Sequence, residues 1–182
     1  MKTFNFPEMR QISIWDCGAS VMESVLDYYG IEVGEEVLMK LAGTNKKIGT
    51  SIAGMKKIAD KYGLNFKAGE MTITEVKKYI DKKIPVILSL KAWPEKKVDW
   101  TLDSVEGHYA IAIGYDKSKI YFEDPYKSVR TYLSFKELEI RWHSLDNEKK
   151  CVRRYVKWGM AVLGRKDGKR KSLLSAKPIH MD

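Results

Sequence analysis

Residues 16–30 read Asp16-Cys17-Gly18-Ala19-Ser20-Val21-Met22-Glu23-Ser24-Val25-Leu26-Asp27-Tyr28-Tyr29-Gly30. Val21, Met22, Val25, Leu26 and Tyr29 recur at three-to-four spacing, which predicts a helix over 18–29, and Gly30 follows as its C′ residue. Cys17 therefore stands at the first helical turn. A thiol is a weak nucleophile until it ionises, and the exposed N–H groups of a helix N-terminus favour the thiolate. The small residues after Cys17 let the backbone approach a substrate carbonyl, and the Cys17 N–H can donate to an oxyanion.

Upstream of the cysteine, Gln11 offers an uncharged side-chain amide as a second oxyanion donor. Downstream, Glu35 to Leu41 predicts a short helix stopped near Gly43. A third helix, capped by Thr50 or Ser51, presents Ile52, Met55, Ile58, Ala59 and Tyr62 on one face and ends at Gly63. A short strand is expected over 64–68, then a helix from Thr72 or Thr74 to Ile80.

The second half reads as strands. Ile84 to Leu90 is a buried strand with Pro85 near its start. Residues 91–107 form a long loop carrying Trp93 and Trp100, and long loops in compact domains are often functional. Strands follow at 108–115, 120–124 and 130–133, then a short helix from Ser134 to about Arg141, and a last strand at 155–163. Helices first and antiparallel strands afterwards argue for an α+β fold with a helical lobe on a sheet lobe. A cleft between two such lobes is a usual place for chemistry.

A cysteine nucleophile needs a base. The chain has three histidines. His180 lies in the basic tail and His143 follows a polar helix. His108 begins an apolar strand directly after the tryptophan-bearing loop, which makes it the candidate general base. Asp124, ending the next strand before Pro125, is the candidate to orient the imidazole. A plain hairpin pairing Tyr115 with Ile120 would set Asp124 opposite Ile111, on the other face of the sheet from His108. The triad therefore requires a β-bulge in this hairpin, and one is expected.

The 182 residues suffice for one domain. The peptidase-like unit is read as residues 1–164, with 165–182 as a basic, flexible tail. No signal peptide or membrane-spanning stretch is evident, so a soluble, cytoplasmic protein is expected. The two cysteines, Cys17 and Cys151, are read as free thiols, and without a C-x-x-C pair no structural zinc is expected. No metal and no cofactor is implied. The net charge of +9 is spread along the chain and lacks interleaved aromatics in its densest run, so no specific nucleic-acid partner is expected.

Gln11, Asp16-Cys17-Gly18-Ala19, Gly49-Thr50-Ser51, Gly107-His108-Tyr109 and Asp124-Pro125, in that order, resemble the bacteriocin-processing peptidases. These are double-glycine leader peptidases of papain-like fold, and the resemblance spans roughly residues 5 to 165, closest to the stand-alone members. It implies a cysteine peptidase in which Cys17 attacks, His108 is general base and acid, Asp124 orients the histidine and Gln11 donates to the oxyanion. The implied partner is a peptide or protein substrate.

Trp93 and Trp100 are candidates to line the substrate cleft, because their loop leads to His108. Tyr109 and Trp142 read as core, and Cys151 is given no role. Two other classes share these residues. One is acyl transfer to an amine, as in a transglutaminase or amidase. The other is a peptide-binding module that does not cut.

Overall fold

The computed structural model describes residues 2–101, 107–127, 129–148, 151–165 and 179–180. In chain order the elements are β1 (Lys2–Thr3), α1 (Cys17–Tyr28), α2 (Glu35–Ala42), α3 (Ile52–Lys61), β2 (Leu64–Glu70), α4 (Ile73–Asp81), β3 (Val86–Lys91), β4 (Gly107–Tyr115) and β5 (Lys119–Glu123). They continue with β6 (Thr131–Ser134), α5 (Phe135–Arg141), β7 (His143–Glu148), β8 (Cys151–Val156), β9 (Trp158–Arg165) and β10 (Ile179–His180).

Local chemistry explains the helix boundaries. Helix α1 ends in a Schellman arrangement: Ile31 N–H donates to Leu26 O (2.9 Å) and Gly30 N–H to Asp27 O (2.8 Å), with Gly30 at φ 72°. Ser51 caps α3 by accepting from Gly54 N–H. Thr72 with Glu75, and Ser134 with Glu137, form reciprocal capping boxes at the starts of α4 and α5.

The strands assemble an eight-stranded sheet in the order β10-β6-β5-β4-β3-β9-β2, with β1 paired to β4. All of these pairings are antiparallel except β10 with β6. Val21, Met22, Val25 and Leu26 of α1 join Ile87, Leu88, Ala110 and Ala112 of the central strands in one buried core. Tyr29 ties the end of α1 to β9 by donating to Val162 O at 2.6 Å. This is the α+β arrangement of helices on a largely antiparallel sheet.

One expectation needs correction. The strand anticipated over 155–163 divides at Lys157, whose φ of 52° breaks the extended run. β8 on one side pairs with β7 in a separate two-stranded sheet, while β9 on the other joins the main sheet. His143 follows α5 as expected and opens β7. The segment read as a basic tail lies mostly outside the described residues; within it, Ile179 and His180 pair with Thr131 and Tyr132 of β6.

Candidate active site

Cys17 opens α1 and is buried. Asp16 occupies the N-cap but does not cap the helix with its side chain. Its Oδ2 turns back and accepts from Ser13 N–H at 2.8 Å, bracing the 11–16 segment. The first-turn donors are thus not closed off by the carboxylate beside them. Gly18 is required by packing: a Cβ there would lie 2.6 Å from the Thr50 Cβ. This close approach brings Gly49 and Thr50 against the cysteine-bearing turn.

Gln11 is tied on both sides. Its backbone N–H donates to Pro125 O (3.0 Å) and its Nε2 donates to Ser13 O (2.6 Å). One amide proton is therefore directed at the 11–16 segment, and Nε2 keeps a second. The neighbouring Arg10 donates to Glu123 at 2.7 Å, which ties this segment to the end of β5.

His108 sits near the start of β4 and is 6% exposed. The β4–β5 hairpin pairs Tyr115 with Ile120 and Gly114 with Tyr121, then skips Ile113, so that Ala112 meets Phe122 and Ile111 meets Glu123. The expected bulge is present. It shifts the register so that continuing the strand sets Asp124 opposite Ala110, on the face His108 uses. The bulged Ile113 carbonyl accepts from Phe4 N–H at 3.2 Å. Gly114 then lets β1 lie close, since a Cβ there would be 2.3 Å from the Thr3 Cγ2.

His108 Nε2 and Asp124 Oδ1 are 2.8 Å apart. Asp124 is fully buried and also accepts from Tyr126 N–H (3.0 Å), Trp93 Nε1 (3.1 Å) and Thr131 Oγ1 (3.3 Å). Burial alone would strip the imidazole of its proton. The charge and hydrogen bond of Asp124, with a smaller contribution from the Cys17 sulfur, instead push the His108 pKa up to about 10. Burial likewise opposes ionisation of Asp124, yet the His108 charge and the donors around it hold its pKa below the ordinary value. With Nε2 on Asp124, Nδ1 is the ring nitrogen left for the thiol.

A cleft of about 250 Å³ opens at this point, lined by Cys17 and His108 together with Ile14, Trp15, Thr50, Tyr109 and Leu145. Its floor includes Ser89 and Ser144, hydrogen-bonded to each other at 2.7 Å.

Neither tryptophan expected at the cleft is among its lining residues. Trp93 has φ 55°, and its indole faces Asp124 and stacks on Tyr126. Trp100 lies under the Arg141 guanidinium, and its carbonyl is 2.8 Å from His143 Nε2. Tyr109, expected in the core, packs against it and also lines the cleft, while Trp142 is buried and donates to Trp158 O. Trp15 also lines the cleft, and its place two residues before Cys17 is the signal the sequence carries for it. The walls from β3 and β7 carry no such signal, because only the folded sheet brings them there.

A helix N-terminal cysteine facing a sheet-borne histidine across an interlobe cleft defines a cysteine-type peptidase of papain-like architecture. Residues 3–150 match the Peptidase_C39 like family, and the chain belongs to that family. It is 32% identical over 115 residues to the Lactococcin-G-processing and transport ATP-binding protein LagD of Lactococcus lactis subsp. lactis. That match covers 62% of this chain and 14% of LagD. Among solved structures, the peptidase domain of Streptococcus ComA, a bifunctional ABC transporter in a quorum-sensing pathway, is similar with a TM-score of 0.63 at 23% identity, covering 87% of this chain and 98% of that one. A C39-like peptidase from Bacillus anthracis gives a TM-score of 0.68 at 17% identity, over 91% and 98% of the two chains. A double glycine motif protease from an AMS/PCAT transporter, solved with its leader peptide, gives 0.61 at 19% identity, over 88% and 94%. At these identities the structural likenesses establish the fold.

Proposed function

We propose that this protein hydrolyses a peptide bond through Cys17, His108 and Asp124, with the Cys17 N–H and the Gln11 amide receiving the oxyanion. The observation that carries this reading is the buried His108 ring, held at 2.8 Å by Asp124 on one nitrogen and presenting the other to Cys17.

The Cys17 sulfur, having passed its proton to His108, attacks the scissile carbonyl carbon. The carbonyl electron pair moves onto oxygen, where the two N–H donors stabilise it. As the tetrahedral intermediate collapses, the C–N bond breaks and His108 gives its proton to the leaving amine. A thioester remains on Cys17. Water, losing a proton to His108, adds to that thioester, and the carboxylic acid leaves as the sulfur is released. Asp124 stays ionised throughout and holds the imidazole in the tautomer each transfer needs. Gln11 enters this scheme by releasing Ser13 O, or by using its second amide proton.

The peptidase unit in this reading is residues 1–164, with the basic 165–182 segment appended. The substrate is a peptide or protein. The likeness to a protease solved with a leader peptide supports leader-bearing peptides as the class to try first. A catalytic thiol calls for a reducing compartment, so the cytoplasm is the proposed location.

The test is incubation with a diverse peptide library, with and without an amine acceptor, comparing wild type with Cys17→Ala. Cut peptides from wild type alone support hydrolysis. Amine adducts in preference to free acids would replace it with acyl transfer. Cleavage that survives in Cys17→Ala would refute the assignment.

A further inference from the structure

Among the described residues Asp124 has four donors, and they divide evenly between its oxygens. Oδ1 takes His108 and the Tyr126 N–H, while Oδ2 takes Trp93 Nε1 and Thr131 Oγ1. We propose that Trp93 is a positioning residue, which fixes the Asp124 carboxylate so that Oδ1 meets His108. This role rests on the triad reading and adds a fourth side chain to it.

Trp93 is held for this task at both ends. Its backbone sits at φ 55°, a region that a bulky residue rarely adopts, and this turn brings the indole back toward β5. Its ring stacks on Tyr126 with centroids 5.5 Å apart, and the Lys127 ammonium lies beside both rings, 4.3 Å from the Trp93 centre and 5.2 Å from that of Tyr126. Tyr126 and Lys127 directly follow Asp124-Pro125, so the aspartate and the support for its Trp93 clamp come from one short segment. A carboxylate can rotate about its last bond. With Oδ2 anchored by the rigid indole, rotation would cost that hydrogen bond, and Oδ1 stays aligned. The Thr131 bond, at 3.3 Å, is the longer of the two on Oδ2.

The charged groups around Asp124 are His108 directly, Lys127 beside the indole, and the adjoining Glu123 with its partners Arg10 and Arg130. Replacing Trp93 leaves all of these in place. The Trp93 N–H helps to hold the Asp124 pKa down, so removing it must raise that pKa.

The readout is the rate at which iodoacetamide alkylates Cys17 in the full chain, measured across pH. Trp93→Phe keeps an aromatic ring and loses the N–H. Replacement of Trp93 by benzothienylalanine keeps the whole ring shape and loses only the donor. Both variants are expected to move the acid limb of the profile upward by about half a pH unit or more, with alkylation near the midpoint slowed by roughly threefold or more. A benzothienylalanine variant that overlays wild type overturns the proposal, because packing would then be the indole's whole contribution. His108→Ala separates this from the parent reading. If His108→Ala leaves the wild-type profile unmoved, the triad itself fails and the Trp93 role falls with it. If His108→Ala abolishes the profile while the benzothienyl variant matches wild type, only the Trp93 role is lost.

Discussion

His108 Nε2 stands 2.8 Å from Asp124 Oδ1 although the two residues belong to neighbouring strands that, in a regular hairpin, would present them to opposite faces. The contact makes His108 a strong base inside a buried site. Asp124→Asn removes the charge and keeps the shape. Without the carboxylate, burial is unopposed and the His108 pKa falls from about 10 toward or below its ordinary 6.5. The imidazolium that partners the thiolate is then lost at much lower pH. The alkaline limb of the pH–rate profile should move down by several units, and turnover at neutral pH should fall by about 10²–10⁴-fold. Peptide hydrolysis and Cys17 alkylation across pH measure both, and an unmoved alkaline limb would contradict the pairing.

Gln11→Ala removes the side-chain amide and leaves Cys17, His108 and Asp124 untouched. If Gln11 serves the oxyanion, kcat should drop on the order of a hundredfold while alkylation of Cys17 by iodoacetamide stays near the wild-type rate. An equal drop in both would instead assign Gln11 to bracing the 11–16 segment through its bond to Ser13 O.

Glu123 is 1% exposed and accepts from Arg10 Nη1 at 2.7 Å and from Arg130 Nε at 3.1 Å. Arg130, equally buried, also donates to Phe6 O. Glu123→Ala leaves that guanidinium without its counter-charge, which should cost about 3–5 kcal/mol in urea unfolding. A loss below about 1 kcal/mol would mean that the network is not stabilising.

Glu35, 4% exposed, lies near the Ile12 backbone. Burial, followed by the charges of Asp16 and Glu23, pushes its pKa up to about 8. The unfolded chain ionises this group near 4.5 and the folded chain near 8, so folding stability falls as pH rises through that window. Glu35→Gln removes the penalty. It should leave stability at pH 4 nearly unchanged and raise it at pH 8 by on the order of 1 kcal/mol or more, read from urea midpoints at the two pH values. A variant whose stability relative to wild type does not change with pH would show that Glu35 ionises normally.

Much of this architecture is visible in the chain before folding. The spacing of Val21, Met22, Val25 and Leu26, with Gly30 behind them, marks α1 because helix periodicity and C-terminal chemistry are both local. The bulge is legible for a different reason. Chemistry demanded that His108 and Asp124 share a face, and strand alternation forbade it without an extra residue. The β7–β8 hairpin is hidden because its strands carry Asp146, Asn147, Glu148, Arg153 and Arg154, which mask any apolar alternation. The break at Lys157 is a backbone event that no side-chain pattern announces. Trp93 illustrates the remaining difficulty. Its place before His108 predicts a cleft wall, which it does not form, and only the fold shows that its indole faces the aspartate.

The skipped Ile113 gives the hairpin a parity. The residue of β4 that Asp124 opposes decides its face, and opposition to Ala110 rather than Ile111 puts base and carboxylate on a common side. A slip that paired Ile113 with Phe122 would therefore leave strands that still hydrogen-bond and an imidazole that has lost its anion.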